Sequence, residues 1–95
     1  DWEALAVIGV ALLEDERFDN VLSCGGAADR FSAALWKHRS RDGVLLVVDD
    51  VLTTGATIER HRQASGRLCA GLVVFARSEP PSWVRSIFRL SPGVV

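Results

Sequence analysis

The sequence has no excess of either charge, no long apolar run and very little cysteine, and each shortage removes a class of protein. Its 11 basic and 12 acidic residues leave a net charge of −1 and are scattered along the chain. Nothing resembles the basic stripe that nucleic-acid binders use to neutralise phosphates, so no nucleic-acid partner is expected. The apolar run Ala4 to Leu13 is too short to span a bilayer, which argues against a membrane partner. Acidic Asp1 and Glu3 flank it, and no basic segment or cleavage signal accompanies it, so a signal peptide is not expected. The two cysteines, Cys24 and Cys69, lie far apart and lack metal-ligand spacing. Free thiols and a cytoplasmic setting are the expectation.

What remains is the balance of a soluble globular chain, 48% hydrophobic and 24% charged over 95 residues. That length supports one core, so residues 1–95 are expected to form a single domain. Trp2, Leu5, Ile8, Gly9 and Leu12 recur at helical spacing and predict a buried first helix. Glu14 to Arg17 is a charged turn. Phe18 to Ser23 reads as a short strand, and Cys24 to Ala28 as a loop of small residues. Asp29 is placed to cap a helix running to about His38, with Phe31, Ala34 and Leu35 on its apolar face. After the polar turn Arg39 to Gly43, the unbroken apolar run Val44 to Val48 marks a strand buried on both faces. A further helix spans about Ala56 to Ser65, with Gly66 as its stop, and Leu68 to Ala76 is another apolar strand. Pro80-Pro81 breaks it, and Trp83 to Leu90 alternates loosely like an edge strand.

Alternation of this kind predicts an α/β fold: a Rossmann-like, three-layer parallel sheet with right-handed crossovers and helices on both faces. Ligands of such sheets bind beyond the carboxyl ends of the strands. Two loops rich in small residues fall there, Cys24 to Asp29 and Asp49 to Thr57.

The second loop carries the stronger chemistry. Asp49 and Asp50 follow a buried strand directly, where carboxylates are costly unless solvated, paired or bonded to a ligand. As pure acceptors they suit the vicinal hydroxyls of a ribose. Val51 and Leu52 are expected to tuck back into the core. Thr53-Thr54-Gly55-Ala56-Thr57 then offers hydroxyls, a residue free to take positive φ, and backbone N–H groups at a helix start. That is an anion nest reinforced by the helix dipole, fit for a phosphate. A plain helix cap would need one polar residue at Thr54 or Thr57, and this segment supplies two acids and three threonines. Leu45 to Asp50 also has the apolar run and acid of a nucleoside-triphosphatase strand. The single lysine, Lys37, follows no glycine-rich phosphate loop, and the dinucleotide pattern G-x-G-x-x-G is absent.

The segment LLVVDDVLTTGAT, Leu45 to Thr57, resembles the phosphoribosyl-pyrophosphate signature of the type I phosphoribosyltransferases at every position. The resemblance implies that Asp49 and Asp50 bind the ribose hydroxyls and are the catalytic residues, either stabilising positive charge at C1 or, for Asp50, acting as a base toward the incoming nitrogen, while Thr53, Thr54, Gly55, Ala56 and Thr57 hold the 5-phosphate. Phe18 to His38 resembles, more loosely, the family's first strand, pyrophosphate loop and following helix. Cys24, Gly25, Gly26, Ala27, Ala28 and Asp29 would line that loop, whose small residues let backbone amides approach the leaving group. Arg30 either reaches the pyrophosphate or stands in solvent. The segment after the signature is similar to the family's next helix and strand, which implies base-side positions for Arg77 and, as stacking aromatics, Trp83 and Phe88.

The implied function is transfer of phosphoribose from phosphoribosyl pyrophosphate to a nucleobase with release of pyrophosphate. Mg²⁺ would be bound mainly through the substrate, with Asp49 and Asp50 reaching it through water. Orotate, another pyrimidine and a purine all remain open as acceptor, and a homodimer is allowed. One departure from the family is plain: only Lys37 to Gly43 joins the second helix to the signature strand, which leaves no room for the usual lid hairpin. The basic cluster Lys37, His38, Arg39 and Arg41 either substitutes by lying near the pyrophosphate or is a solvated helix end. The alternative function is a non-catalytic module of the same fold that binds phosphoribosyl pyrophosphate or a nucleotide.

Overall fold

The computed structural model describes residues 1–90. Helix α1 (Trp2–Leu12) is followed by strand β1 (Phe18–Ser23), helix α2 (Ala28–Trp36), strand β2 (Val44–Leu52), helix α3 (Ala56–Ser65), strand β3 (Cys69–Ala76) and strand β4 (Val84–Arg89). The strands form one parallel sheet in the order β1-β2-β3-β4. Every element expected from the periodicity is present, the tail strand included.

Alternate residues of β2 feed two separate cores. Leu46 and Val48 pack with Phe31 and Leu35 of α2 and Ala6 of α1. Leu45 and Val47 belong to a second cluster with Ile58 of α3, Val73 and Val84. Successive strand residues point to opposite faces, so α1 and α2 cover one face and α3 the other. Gly9 makes the first layer close: a β-carbon there would lie 2.6 Å from Leu72 Cδ2, so α1 seats against the sheet at a residue without a side chain.

This arrangement corrects one expectation. Helices do lie on both faces, but the crossovers cannot both be right-handed. From β1 to β2 to β3 the chain steps across the sheet in one direction, while its two crossover helices lie on opposite faces. Two such crossovers have opposite hands, so one is of the left-handed kind that occurs in only about 2% of cases. The step from β3 to β4 has no helix. The residues between Ala76 and Val84 return the chain along the length of β3, bringing Val84 into register with Gly71.

Three local readings also change. Helix α2 begins at Ala28 with Ala27 in the cap position and no side-chain cap bond, so Asp29 stands inside the first turn rather than capping it. Ile8 is 45% exposed and Val7 59%, so the buried side of α1 runs through Ala6 and Gly9 instead of Ile8. Strand β2 continues past the acids to Leu52, because β3 supplies partners as far as Leu52↔Ala76. Leu52 is buried as expected, whereas Val51 is 37% exposed.

Candidate functional site

The parallel register sets the two small-residue loops beside each other. Ser23, the last residue of β1, pairs with Val48, and the Cys24 N–H donates to the Val48 carbonyl at 2.9 Å. The glycine loop therefore begins level with the acids of β2.

Asp49 and Asp50 are both partly buried. The Asp50 N–H donates to Asp49 Oδ1 at 2.8 Å, and the Val51 N–H to Asp50 Oδ1 at 2.8 Å. Each acid thus engages the next residue's amide. Burial pushes the Asp49 carboxyl up to about 6, helped by its side-chain hydrogen bond with Asp50, while the Asp50 N–H and His61 act in the opposite sense. A carboxyl tuned this way exchanges a proton close to neutral pH.

Beyond β2 the chain turns into α3 through Gly55, which takes the left-handed conformation at φ 85°. No side chain caps the helix; Thr54 Oγ1 accepts only from the Ala56 N–H, at 3.2 Å. The N–H groups of Thr54, Gly55, Thr57 and Ile58 find no acceptor among the described residues. Free donors clustered at a helix start are the arrangement an anion can engage. Asp49, Val51, Leu52, Thr53, Gly55, Ala56, Thr57 and Ile58 line a shallow, open cleft. Its far wall is pinned by β3: the Arg77 N–H donates to the Leu52 carbonyl at 2.8 Å, and Ser78 Oγ bonds to the Thr53 carbonyl.

In the other loop, Gly25 and Gly26 have φ of 102° and 62°, with open space where a β-carbon would stand. Ser23 Oγ organises this loop, accepting from the Gly25 N–H at 3.0 Å and donating to Asp29 Oδ1 at 2.6 Å. The Ala28 and Asp29 N–H groups close on Gly25 and Gly26 carbonyls, and the Gly26 and Ala27 N–H groups find no acceptor among the described residues. Burial, then the nearby Asp49, pushes the Cys24 thiol up to about 11, so it remains protonated at neutral pH and is no nucleophile. Arg30 is exposed at the start of α2.

The base-side residues separate. Arg77 is exposed directly beyond β3, and Phe88 stacks on Phe75 at 5.3 Å between ring centroids. Trp83 is elsewhere. It precedes β4 at the amino end of the sheet, its ring lies over Gly71, and it packs into the α3-side core. The basic cluster is also at the amino end, since α2 runs back down the sheet and the Ser40 N–H bonds to the Phe18 carbonyl. There Lys37 pairs with Glu3, and Arg39 lies over the Trp36 ring at 4.1 Å. Neither the cluster nor Trp83 is brought to the carboxyl-end loops.

Two residues not singled out in the sequence stand near the two loops, Arg60 by Cys24 and His61 by Asp49. Arg60 is close enough to Cys24 to favour its thiolate, and His61 close enough to Asp49 to favour its carboxylate. Their positions on α3, one turn beyond the threonine loop, were the available signal. No family model, curated protein or solved structure matches the chain.

Proposed function

We propose that the chain binds phosphoribosyl pyrophosphate across the carboxyl ends of β1 and β2 and transfers its phosphoribosyl group to a nucleobase, releasing pyrophosphate. The observation that carries this reading is one cleft holding both an acid of the Asp49–Asp50 pair and the unpaired amides of the Thr53–Thr57 loop. Asp49 and Asp50 accept hydrogen bonds from the ribose hydroxyls, and the amides of Thr54, Gly55, Thr57 and Ile58 donate to the 5-phosphate. The open amides of Gly26 and Ala27 face the diphosphate.

In the reaction, a ring nitrogen of the acceptor forms a bond to C1 as the bond from C1 to the diphosphate oxygen breaks. The electron pair leaves on the diphosphate, and the nitrogen's proton passes to the acid pair, where Asp49, near 6, is suited to hold it. Positive charge developing on the sugar is stabilised by the carboxylates, so neither acid needs to act as a nucleophile.

Among the described residues no cluster of three or more His, Cys, Asp or Glu could hold a metal ion alone. Mg²⁺ would instead be held mainly by substrate oxygens, with Asp49 and Asp50 the residues placed to reach it through water. When bound, it neutralises charge on the leaving diphosphate.

A binding-only role is the second reading. The short connection Lys37–Gly43 lies at the amino end of the sheet, tied by Ser40 to Phe18, and cannot serve as a cover for the site. Pyrophosphate release from phosphoribosyl pyrophosphate and Mg²⁺, measured over a panel of bases, separates the two. Turnover with any base supports the transferase, and tight binding without turnover supports the module. Replacing both acids, Asp49→Asn with Asp50→Asn, is expected to lower affinity sharply while the fold survives. Unchanged binding by calorimetry would overturn both readings.

A further inference from the structure

Strand β4 is an outer strand of the sheet, and a groove of about 300 Å³ runs beside it. The return segment Glu79–Ser82 and β4 itself line this groove; no residue of β3 does, so it lies on the outer side of β4. It shares no lining residue with the shallow cleft at the threonine loop. Strand pairing fixes which backbone groups face it. The Gly71 N–H donates to the Trp83 carbonyl at 2.8 Å, and the parallel register continues through Leu72↔Arg85 and Val73↔Ser86. Backbone groups of successive strand residues point to alternate sides, so Trp83 and Arg85 face β3 while Val84 and Ser86 face outward. The Val84 N–H is taken by the Pro81 carbonyl at 3.0 Å. The Ser86 N–H and the Val84 and Ser86 carbonyls find no partner among the described residues.

The return segment borders this edge without completing it. Pro80 and Pro81 have no N–H to give, so neither can serve the outward carbonyls as a neighbouring strand would. Charge then narrows the occupant. Arg85 and Arg89 stand on one face of β4, four residues and about 13 Å apart. Arg85 bonds to the Ser82 carbonyl and meets no carboxylate among the described residues. Arg89 pairs with Glu79, whose side chain is 80% exposed and free to give way to another carboxylate. A second copy of β4 lying antiparallel would bring Arg85 against Arg89 of the other strand, and facing like charges oppose pairing. An acidic strand meets no such barrier.

We propose that the outer edge of β4 takes up an extended acidic segment of another polypeptide, added to the sheet as a fifth strand. The segment's backbone pairs with the Ser86 N–H and with the Val84 and Ser86 carbonyls. Its carboxylates meet Arg85 and displace Glu79 from Arg89. A lone small anion would engage the arginines only, leaving the outward carbonyls without donors. An extended backbone offers donors and acceptors in alternation, which is what the edge requires. The surface stands apart from the phosphoribosyl reading, because it uses none of the residues of Asp49–Thr57.

Calorimetry on the whole chain tests this with two capped hexapeptides, one alternating glutamate with threonine and one alternating lysine with threonine. Alternation puts every charge of the peptide on one face, as β4 does with its arginines. Wild-type protein is expected to bind the glutamate peptide and not the lysine peptide. Arg85→Glu should weaken the glutamate peptide by about tenfold or more and admit the lysine peptide, a gain that an unfolded variant would not show. Hydrogen exchange supplies the backbone readout: the glutamate peptide should slow exchange of the Ser86 amide, while free glutamate and inorganic phosphate should not. Failure of the glutamate peptide to bind, equal binding of the lysine peptide, or indifference to Arg85→Glu overturns the proposal. Binding without protection of Ser86, matched by free glutamate or phosphate, replaces the added strand with a small-anion site.

Discussion

The Asp50 N–H donates to Asp49 Oδ1 at 2.8 Å, so the two acids are coupled through the backbone of the strand that carries them. This bond favours the ionised form of Asp49, yet burial outweighs it and leaves the carboxyl near 6. Desolvation on β2 therefore decides the protonation of Asp49.

That balance has a pH signature. Asp49 takes a proton at about 6 in the folded chain against an ordinary 3.8. Between those values the folded state binds more protons than the unfolded one, so stability falls as pH rises through the window. Asp49→Asn should remove this dependence. Its thermal midpoint is expected above that of wild type at pH 7.5, with the difference shrinking towards pH 4; equal midpoints at pH 7.5 would contradict the shift.

The threonine loop depends on a left-handed residue. Gly55 has φ 85° with open space around it, so Gly55→Ala meets backbone strain rather than a clash. A loss of about 1–2 kcal/mol is expected by denaturant titration. Because the same change tilts the free amides, affinity for ribose 5-phosphate should fall further than stability does. Thr54→Val, which removes the acceptor for the Ala56 N–H, should weaken the phosphorylated sugar selectively over ribose.

Gly43 is under a different constraint. A β-carbon there would lie 2.4 Å from the Arg17 carbonyl oxygen and 2.9 Å from the Phe18 nitrogen, both backbone atoms. Gly43→Ala must push β1 and the start of β2 apart, at about 1–3 kcal/mol. A thermal midpoint unchanged from wild type would show that the contact yields without cost.

Trp83 should behave as a core residue. Its ring sits over Gly71, where a β-carbon would come within 2.9 Å of Cζ3, and the Arg62 guanidinium lies 5.1 Å from the ring centroid. Trp83→Ala is expected to destabilise by about 3 kcal/mol through the cavity left behind. Nucleotide affinity of the folded variant should stay at the wild-type value; a selective loss of nucleotide binding would return Trp83 to the base site.

Much was legible from order along the chain. Local periodicity and turn chemistry act over a few residues, so the elements, the parallel α/β class and the free-thiol cysteines could be read directly. The acids and the threonine loop were legible as well, since residue types that accept from hydroxyls and expose amides stand together in sequence from Asp49 to Thr57. Direction and depth were not. Whether Trp83 or Phe88 reaches the carboxyl end depends on where β4 pairs with β3, and the register Gly71↔Val84 sends Trp83 to the opposite end. The same limit hid the fate of Lys37, which α2 carries away from the site to Glu3. It also hid the crossover hand, because packing of α2 and α3 on opposite faces is settled only when both cores close around β2. Asp49 is a last example: its place was set by sequence, but its proton affinity comes from burial, a property of the assembled sheet.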